Sequence, residues 1–398
     1  MNPVFLVIAI SGGLILSLST GVRQTFGLLQ EPLIVAHDWS RTEFAFAIAL
    51  QNLVWGLLMP LTGALADRFG SLRVLFAGGV LYASGVALMG YAETPTEFSL
   101  TAGVLVGMGT AGTGIPLVLA VVSRSVGDKH RSLALGVVAA GGSFGQFVLP
   151  PYFQLLMNNF DWSGGIFGMA LTCLLLLPMA FLLSKAAGPA AAAGPGQLKQ
   201  SLREALAEAI GHSGYRLLTL GFFVCGFHVA FVTTHLPSYL VSCGMPAMTG
   251  AAAIAGLGLF NIIGTLLSGA LGGHFSKKYL LSGIYALRSV ILLVFLILPV
   301  TELTVFGFSA AFGLLWLSTV PLTSGIVSQV FGPRYVATLF GIVMMSHQIG
   351  AFVGVWLGGY LYDLTGGYQG SWIAMIGMGI FAAIVHLPIR ETPLRQPA

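Results

Sequence analysis

Apolar residues fill this chain in long blocks, broken by short clusters of charge, proline and glycine. A helix needs about 20 apolar residues to cross a bilayer. Runs of that length fall at roughly 4–30, 41–65, 72–91, 96–121, 131–156, 164–184, 215–241, 247–271, 279–299, 302–328, 335–362 and 370–389. The pattern predicts an all-α membrane protein with twelve spans. Runs this long show no period-2 alternation, which excludes a barrel. Ser40-x-x-Glu43 before span 2 and Thr94-Pro95-Thr96-Glu97 before span 4 read as capping boxes, the latter with Pro at the first helical position.

The longest interruption is 185–214. Lys185 to Gly196 is rich in Ala, Gly and Pro and reads as a linker. Leu198, Leu202 and Leu206 then recur every fourth residue among Lys199, Arg203, Glu204 and Glu208, the pattern of an amphipathic helix lying on the cytoplasmic membrane face. The chain divides into a six-helix bundle at 1–184, this linker at 185–214 and a second six-helix bundle at 215–398. The bundles echo one another. Gly21-x-Arg23-x-x-Phe26-x-x-x-Gln30-x-Pro32 matches Gly226-x-His228-x-x-Phe231-x-x-x-His235-x-Pro237, Pro116 matches Pro321, Gly136 and Gly145 match Gly341 and Gly350, and Gly63 matches Gly269. Duplicated six-span halves predict a pseudo-two-fold along the membrane normal and a site near the midplane between them.

Composition narrows the function. Of 398 residues, 56% are hydrophobic and 8% charged, with a mean hydropathy of +0.90. Soluble domains carry about 25% charge, so this chain could not cover a soluble surface. Three Cys build no disulfide framework. The net charge of +4 is scattered, which excludes nucleic acid as the expected partner. No Cys or acid joins the histidines at ligand spacing, no nucleotide loop is present and no nucleophile–base pair is visible, so neither a metal, a cofactor nor an enzyme is expected. Residues 1–20 lack a basic region and a small-x-small cleavage site, so no signal peptide is expected. Arg68, Arg73, Arg124, Lys129, Arg131, Lys185, Lys199, Arg203, Arg216, Lys277, Lys278, Arg334, Arg390 and Arg395 all fall on one side of the twelve spans, with Arg41 alone opposite. The positive-inside rule then puts both termini in the cytoplasm, and the inner membrane of a bacterium is the expected location.

After span 2 the chain reads Gly63-Ala-Leu-Ala-Asp67-Arg68-Phe-Gly70-Ser-Leu-Arg73. This resembles the loop 2–3 signature of the major facilitator superfamily, and the likeness covers the whole chain. It implies the major facilitator fold and a cytoplasmic gate formed by Gly63, Asp67, Arg68, Gly70 and Arg73. The second copy has lost the acid, with Gly273 and His274 in place of Asp67 and Arg68. Gly21-Val-Arg23-Gln-Thr-Phe-Gly27 and Gly226-Phe-His228-Val-Ala-Phe231 look like bacterial relatives of monocarboxylate transporters and oxalate–formate exchangers. One departure is that Asn261 and Thr265 stand where animal monocarboxylate transporters carry an Asp and an Arg in span 8.

Polar groups at membrane depth are functional candidates. Arg23 and Arg288 lie well inside spans, and all 13 acids lie at span ends or in loops. Two fixed cations without a buried carboxylate favour a small organic anion. Arg23 reads as a substrate or gating group, or as an outward-snorkelling anchor. Arg288 reads as a ligand contact, or as a hydrogen-bonding post for Asn261 or backbone carbonyls. As repeat mate of Arg23, His228 is expected to face the cavity. His228, His235 and His347 are the candidates for proton coupling or, in the bland reading, neutral bundle histidines. Asn52, Gln146, Asn261, His347 and Gln348 complete the candidate substrate site. The expectation is a secondary transporter working by alternating access, through symport or exchange. The alternative is a drug or neutral-solute exporter of the same fold.

Overall fold

The computed structural model describes residues 3–126, 128–187, 201–332 and 335–394. Leu198, Lys199, Arg334 and Arg395, and the linker from 188 onward to 200, lie outside them. The described residues form helices and no strand. The spans are α1 (Phe5–His37), α2 (Arg41–Phe69), α3 (Ser71–Met89) and α4 (Pro95–Ser125). The helix Asp128–Cys173 has non-helical angles at Phe160 and Asp161. It folds back there, because Tyr152 and Thr172 meet at 3.2 Å across the turn. This yields α5 (128–159) and α6 (162–187). The second half holds α7 (Ser213–Ser242), α8 (Ala247–Gly272), α9 (Lys277–Ile297), α10 (Glu302–Phe331), α11 (Val336–Thr365) and α12 (Gln369–His386). Twelve spans in two bundles result, as the apolar runs predict.

Local chemistry sets the ends. Both predicted capping boxes form, Ser40 with Glu43 and Thr94 with Glu97. A third, Ser201 with Glu204, starts the linker helix Leu202–Gly211. That helix buries Ala205 and Ala209, with Leu206 against the second bundle, and leaves Leu202 exposed.

Four spans are interrupted at depth, among them the sixth, between Cys173 and Leu176. The first leaves α-geometry after Arg23 and continues as a 3₁₀ turn at Phe26–Leu29. The fourth breaks at Gly114 and restarts with Pro116 in its first turn. The tenth is unwound between Leu315 and Thr319. Proline donates no backbone hydrogen bond, so a helix restarting at Pro116 or near Pro321 leaves carbonyls of the preceding turn without partners.

The repeat extends to single atoms. The Ser19 Oγ and Thr113 Oγ1 atoms lie 2.9 Å apart in the first bundle. Their mates Cys225 Sγ and Thr319 Oγ1 lie 3.2 Å apart in the second. Close helix crossings repeat as well. A Cβ on Gly145 would meet the Ser17 carbonyl at 2.0 Å, and one on its mate Gly350 the Phe223 carbonyl at 1.9 Å. Only glycine permits α1–α5 and α7–α11 to touch backbone to backbone.

Candidate substrate site and gates

Where α1 unwinds, the Arg23 side chain crosses to α2. Its Nε donates to Gln51 Oε1 at 3.0 Å and its Nη2 to Asn52 Oδ1 at 2.7 Å. The guanidinium lies over the Trp55 ring, 4.4 Å from its centroid. Gln51 and Asn52 are themselves anchored, donating to the carbonyls of Ala102 and Ile48. Gln51 and Trp55 stand one turn apart on one face. The platform is thus rigid, half-buried and positive. Among the described residues the ion pairs are Arg41–Glu31 and Arg124–Asp67, so no carboxylate neutralises Arg23.

Opposite lies α11. Gln348 is fully buried with both amide atoms unpartnered, and packs against Gly56, one residue beyond Trp55. Gln146 of α5 also has a free amide nitrogen and packs on Gly258 of α8. The Trp55 indole N–H has no partner either. Asn261 is fully engaged: it donates to Ser143 across the bundle interface at 2.9 Å and accepts from the Leu317 N–H at 3.0 Å and from Thr265.

The second arginine differs. Arg288 has no solvent exposure and donates through Nη2 to the carbonyls of Leu315, at 2.7 Å, and Trp316. Those carbonyls belong to the break in α10. Arg288 and Asn261 together hold that break open, which matches the hydrogen-bonding post of the sequence reading. His228 corrects an expectation: it does not face the space between the bundles. It is fully buried, and its Nε2 lies 2.8 Å from the Met375 carbonyl of α12. The physical reason is that α1 unwinds beyond Arg23 while α7 stays helical, so the two mates sit in different local geometry. His347 is buried on α11 beside Phe222, its Nδ1 unpartnered.

The outer end between the bundles is closed. Arg41 pairs with Glu31 at 2.5 Å, donates to Tyr368 at 3.2 Å and to Ser238, and lies over Tyr362 at 4.0 Å. Ser238 also donates to Glu31. His235 sits beneath, donating through Nε2 to the Val355 carbonyl at 2.8 Å, with Gln30 and Tyr368 each 3.4 Å from Nδ1. Asp363 of α11 accepts from the backbone N–H groups of Arg41, at 3.2 Å, and Thr42, at 2.8 Å, and from the Thr42 hydroxyl. These are first-turn donors of α2, which have no partner within their own helix. The carboxylate of one bundle therefore caps a helix of the other.

The opposite end of the bundles is less tightly packed at four glycines of the repeat. A Cβ on Gly63, Gly136, Gly269 or Gly341 would meet nothing within 4 Å. In the motif that ends α2, Asp67 pairs with Arg124 of α4 at 3.0 Å, not with Arg68 or Arg73. Arg68 instead lies over the ring of its neighbour Phe69. Gly70 ends α2 at φ +89°, where a side chain would be strained. A cavity of about 120 Å³ lined by Thr62, Gly63, Asp67, Pro116 and Arg124 opens beside this pair.

Sequence reasoning missed Trp55, Glu31, Arg41, Ser238, Asp363 and Tyr368. Trp55 was detectable as the residue one turn after Gln51. The outer cluster joins four separated segments, and no spacing links them.

Comparison with known proteins agrees with this architecture. The sequence model described as Major Facilitator Superfamily matches residues 4–322. Monocarboxylate transporter 13 of Bos taurus is 26% identical, covering 95% of this chain and 88% of its own length. Monocarboxylate transporter 11 of Homo sapiens is 28% identical, covering 96% and 82%. The uncharacterized MFS-type transporter YcxA of Bacillus subtilis (strain 168) is 24% identical, covering 93% and 91%. Among solved structures, a bacterial homologue of the human lysosomal transporter Spinster, in an inward-facing and unoccupied conformation, superposes with a TM-score of 0.81 at 16% identity, covering 97% of each chain. A D-xylose–proton symporter gives 0.73 at 16% identity, covering 98% and 99%. With twelve spans in duplicated bundles and a family match over most of its length, the chain belongs to the major facilitator superfamily of transporters.

Proposed function

We propose that this protein is a secondary transporter that carries a small organic anion of the monocarboxylate class across the inner membrane of a bacterium. It works by alternating access, driven by proton symport or anion exchange. The observation that carries this reading is Arg23: a guanidinium at membrane depth, held over the Trp55 ring by Gln51 and Asn52, with no carboxylate among the described residues to neutralise it. A substrate carboxylate supplies the missing charge, and the free amides of Gln348 and Gln146 supply donors from the facing helices. Relatives named monocarboxylate transporters support the class. The cluster around Arg41 and Asp363 is the outer gate, and Gly63, Asp67, Arg68, Gly70 and Arg73 belong to the inner one.

The test is a thermal-shift screen of purified protein with short-chain monocarboxylates, amines and sugars. Carboxylates stabilise the parent selectively by binding the folded state. At an effective dielectric of about 20, an anion about 4 Å from a guanidinium gains roughly 4 kcal/mol before desolvation. Arg23→Gln therefore weakens binding about ten- to a hundredfold, or about 1.4–2.8 kcal/mol. Arg23→Lys is nearly as damaging, because Lys cannot make a planar bidentate contact. Undiminished carboxylate affinity in Arg23→Gln defeats the site; stabilisation by amines or neutral solutes alone defeats the anion class.

A further inference from the structure

We propose that Cys225, His347 and Arg288 form a buried proton-exchanging site in the second bundle, in which the thiol is the counter-ion of the arginine. The proposal rests on the transport reading for its purpose but not for its chemistry.

The internal repeat makes the first argument. In the first bundle the equivalent position is uncharged: Ser19 meets Thr113, and the Tyr82 hydroxyl donates to the Ser19 carbonyl at 2.9 Å. In the second bundle Arg288 replaces the tyrosine and Cys225 replaces the serine, while Thr319 keeps the place of Thr113. A cation and an ionisable thiol thus enter one pocket together, and the hydroxyl between them is retained.

Charge balance makes the second. Arg288 is fully buried, and its Nε and Nη1 have no partner. The carbonyls of Leu315 and Trp316 accept from Nη2 but bring no net charge. The ion pairs of the described residues lie elsewhere. A buried charge is retained only when paired, and the Cys225 sulfur lies 3.9 Å from Nη2 and 3.2 Å from the Thr319 hydroxyl. A neighbouring guanidinium favours a thiolate.

The third is the proton's destination. The His347 ring packs 5.2 Å from Phe222, one turn before Cys225, and the His347 backbone crosses α7 at Gly226, the residue after Cys225, while the Tyr285 ring lies 5.2 Å from the Arg288 guanidinium. Neither His347 Nδ1 nor the Tyr285 hydroxyl is otherwise engaged. The step breaks S–H and forms N–H on His347, and the electron pair stays on sulfur facing Arg288. Loss of that proton from His347 leaves a neutral thiolate–guanidinium pair; its return restores one positive charge. The remaining titratable groups around the site are His228, which already donates to the Met375 carbonyl, and His386, stacked on Tyr285 at 5.1 Å.

The test uses the full-length protein with Cys173 and Cys243 replaced by Ala, leaving Cys225 as its one thiol. Ultraviolet thiolate absorbance is followed against pH in detergent. A thiolate band is expected at neutral pH, absent in Cys225→Ser and reduced about tenfold in Arg288→Gln, the effect of one pH unit. Arg288→Lys, which keeps the charge, retains the band and serves if Arg288→Gln does not fold. No band in the parent at neutral pH, or an equal band in Arg288→Gln, overturns the site. In liposomes, Cys225→Ser and His347→Gln lose the dependence of uptake on an inward proton gradient, while Cys225→Ser keeps the parent's carboxylate thermal shift. A thiolate band with gradient-driven uptake unchanged in Cys225→Ser overturns its coupling role. Absence of any carboxylate shift in the parent fails the anion reading instead, with the thiolate result unaffected.

Discussion

Asp363 is the most direct handle on the conformational equilibrium. Its carboxylate, on α11 of the second bundle, accepts from two orphan N–H groups and a hydroxyl at the start of α2 in the first. These bonds exist only while the outer ends of the bundles touch. Asp363→Ala removes all of them, yet α2 keeps its own cap from Ser40. Each bundle should therefore fold normally, and the loss should fall on the closed outer gate. Removing a capping carboxylate costs about 0.5–2 kcal/mol. Asp363 is solvent-exposed, which screens its charge and favours the middle of that range. About 1 kcal/mol moves the outward-open to inward-open ratio roughly fivefold. Asp363→Asn, which keeps an acceptor oxygen, should move it less. Spin labels at Val35 and Leu303, exposed residues of opposite bundles, report the ratio by pulsed-dipolar distance distributions. Of the cysteines only Cys243 is exposed and needs replacement. The long-distance population should grow in the order parent, Asp363→Asn, Asp363→Ala. An identical distribution in all three proteins would refute the latch.

A Cβ at Gly63 or Gly341 meets no atom within 4 Å; Gly63→Val and Gly341→Val should each retain thermal stability and substrate binding yet lose transport, because the inner ends cannot close, and full transport activity would count against inner closure by these helices. Asp67→Asn removes an exposed pair with Arg124; it should slow exchange in liposomes more than it weakens binding, and unchanged exchange rates would remove Asp67 from the gate. His212 caps α7 by accepting the Tyr215 N–H at 3.3 Å. Partial burial first, and the nearby Arg390 next, push its pKa below the ordinary 6.5. The neutral cap is thus fully present above pH 6.5 and is lost as pH falls through the lowered folded value. Protection factors of the first amides of α7, corrected for the intrinsic pH dependence of exchange, should fall over that descent, and His212→Asn should abolish the fall.

The twelve spans, the duplicated halves, the two capping boxes and the family signature at the end of α2 were legible in the sequence alone. Each depends on neighbours along the chain: apolar length against bilayer thickness, a hydroxyl three residues before a carboxylate, a glycine where two backbones cross. Arg23 was legible too, as a charge placed where hydrocarbon leaves it no solvent. The partners of these groups were not. Arg288 and Arg23 look alike in sequence, yet one holds carbonyls freed by the break in α10 and the other is held over Trp55 by Gln51 and Asn52 without a carboxylate partner. His228 and Arg23 are repeat mates, yet an unwound turn on one side alone separates their surroundings. Asp363 reads as a loop acid until the fold sets it on the end of α2. Local pattern decides which groups the membrane must tolerate. Tertiary structure decides which of them are satisfied, because a hydrogen bond requires two atoms within about 3 Å, and bundle packing sets such distances between residues far apart in the chain.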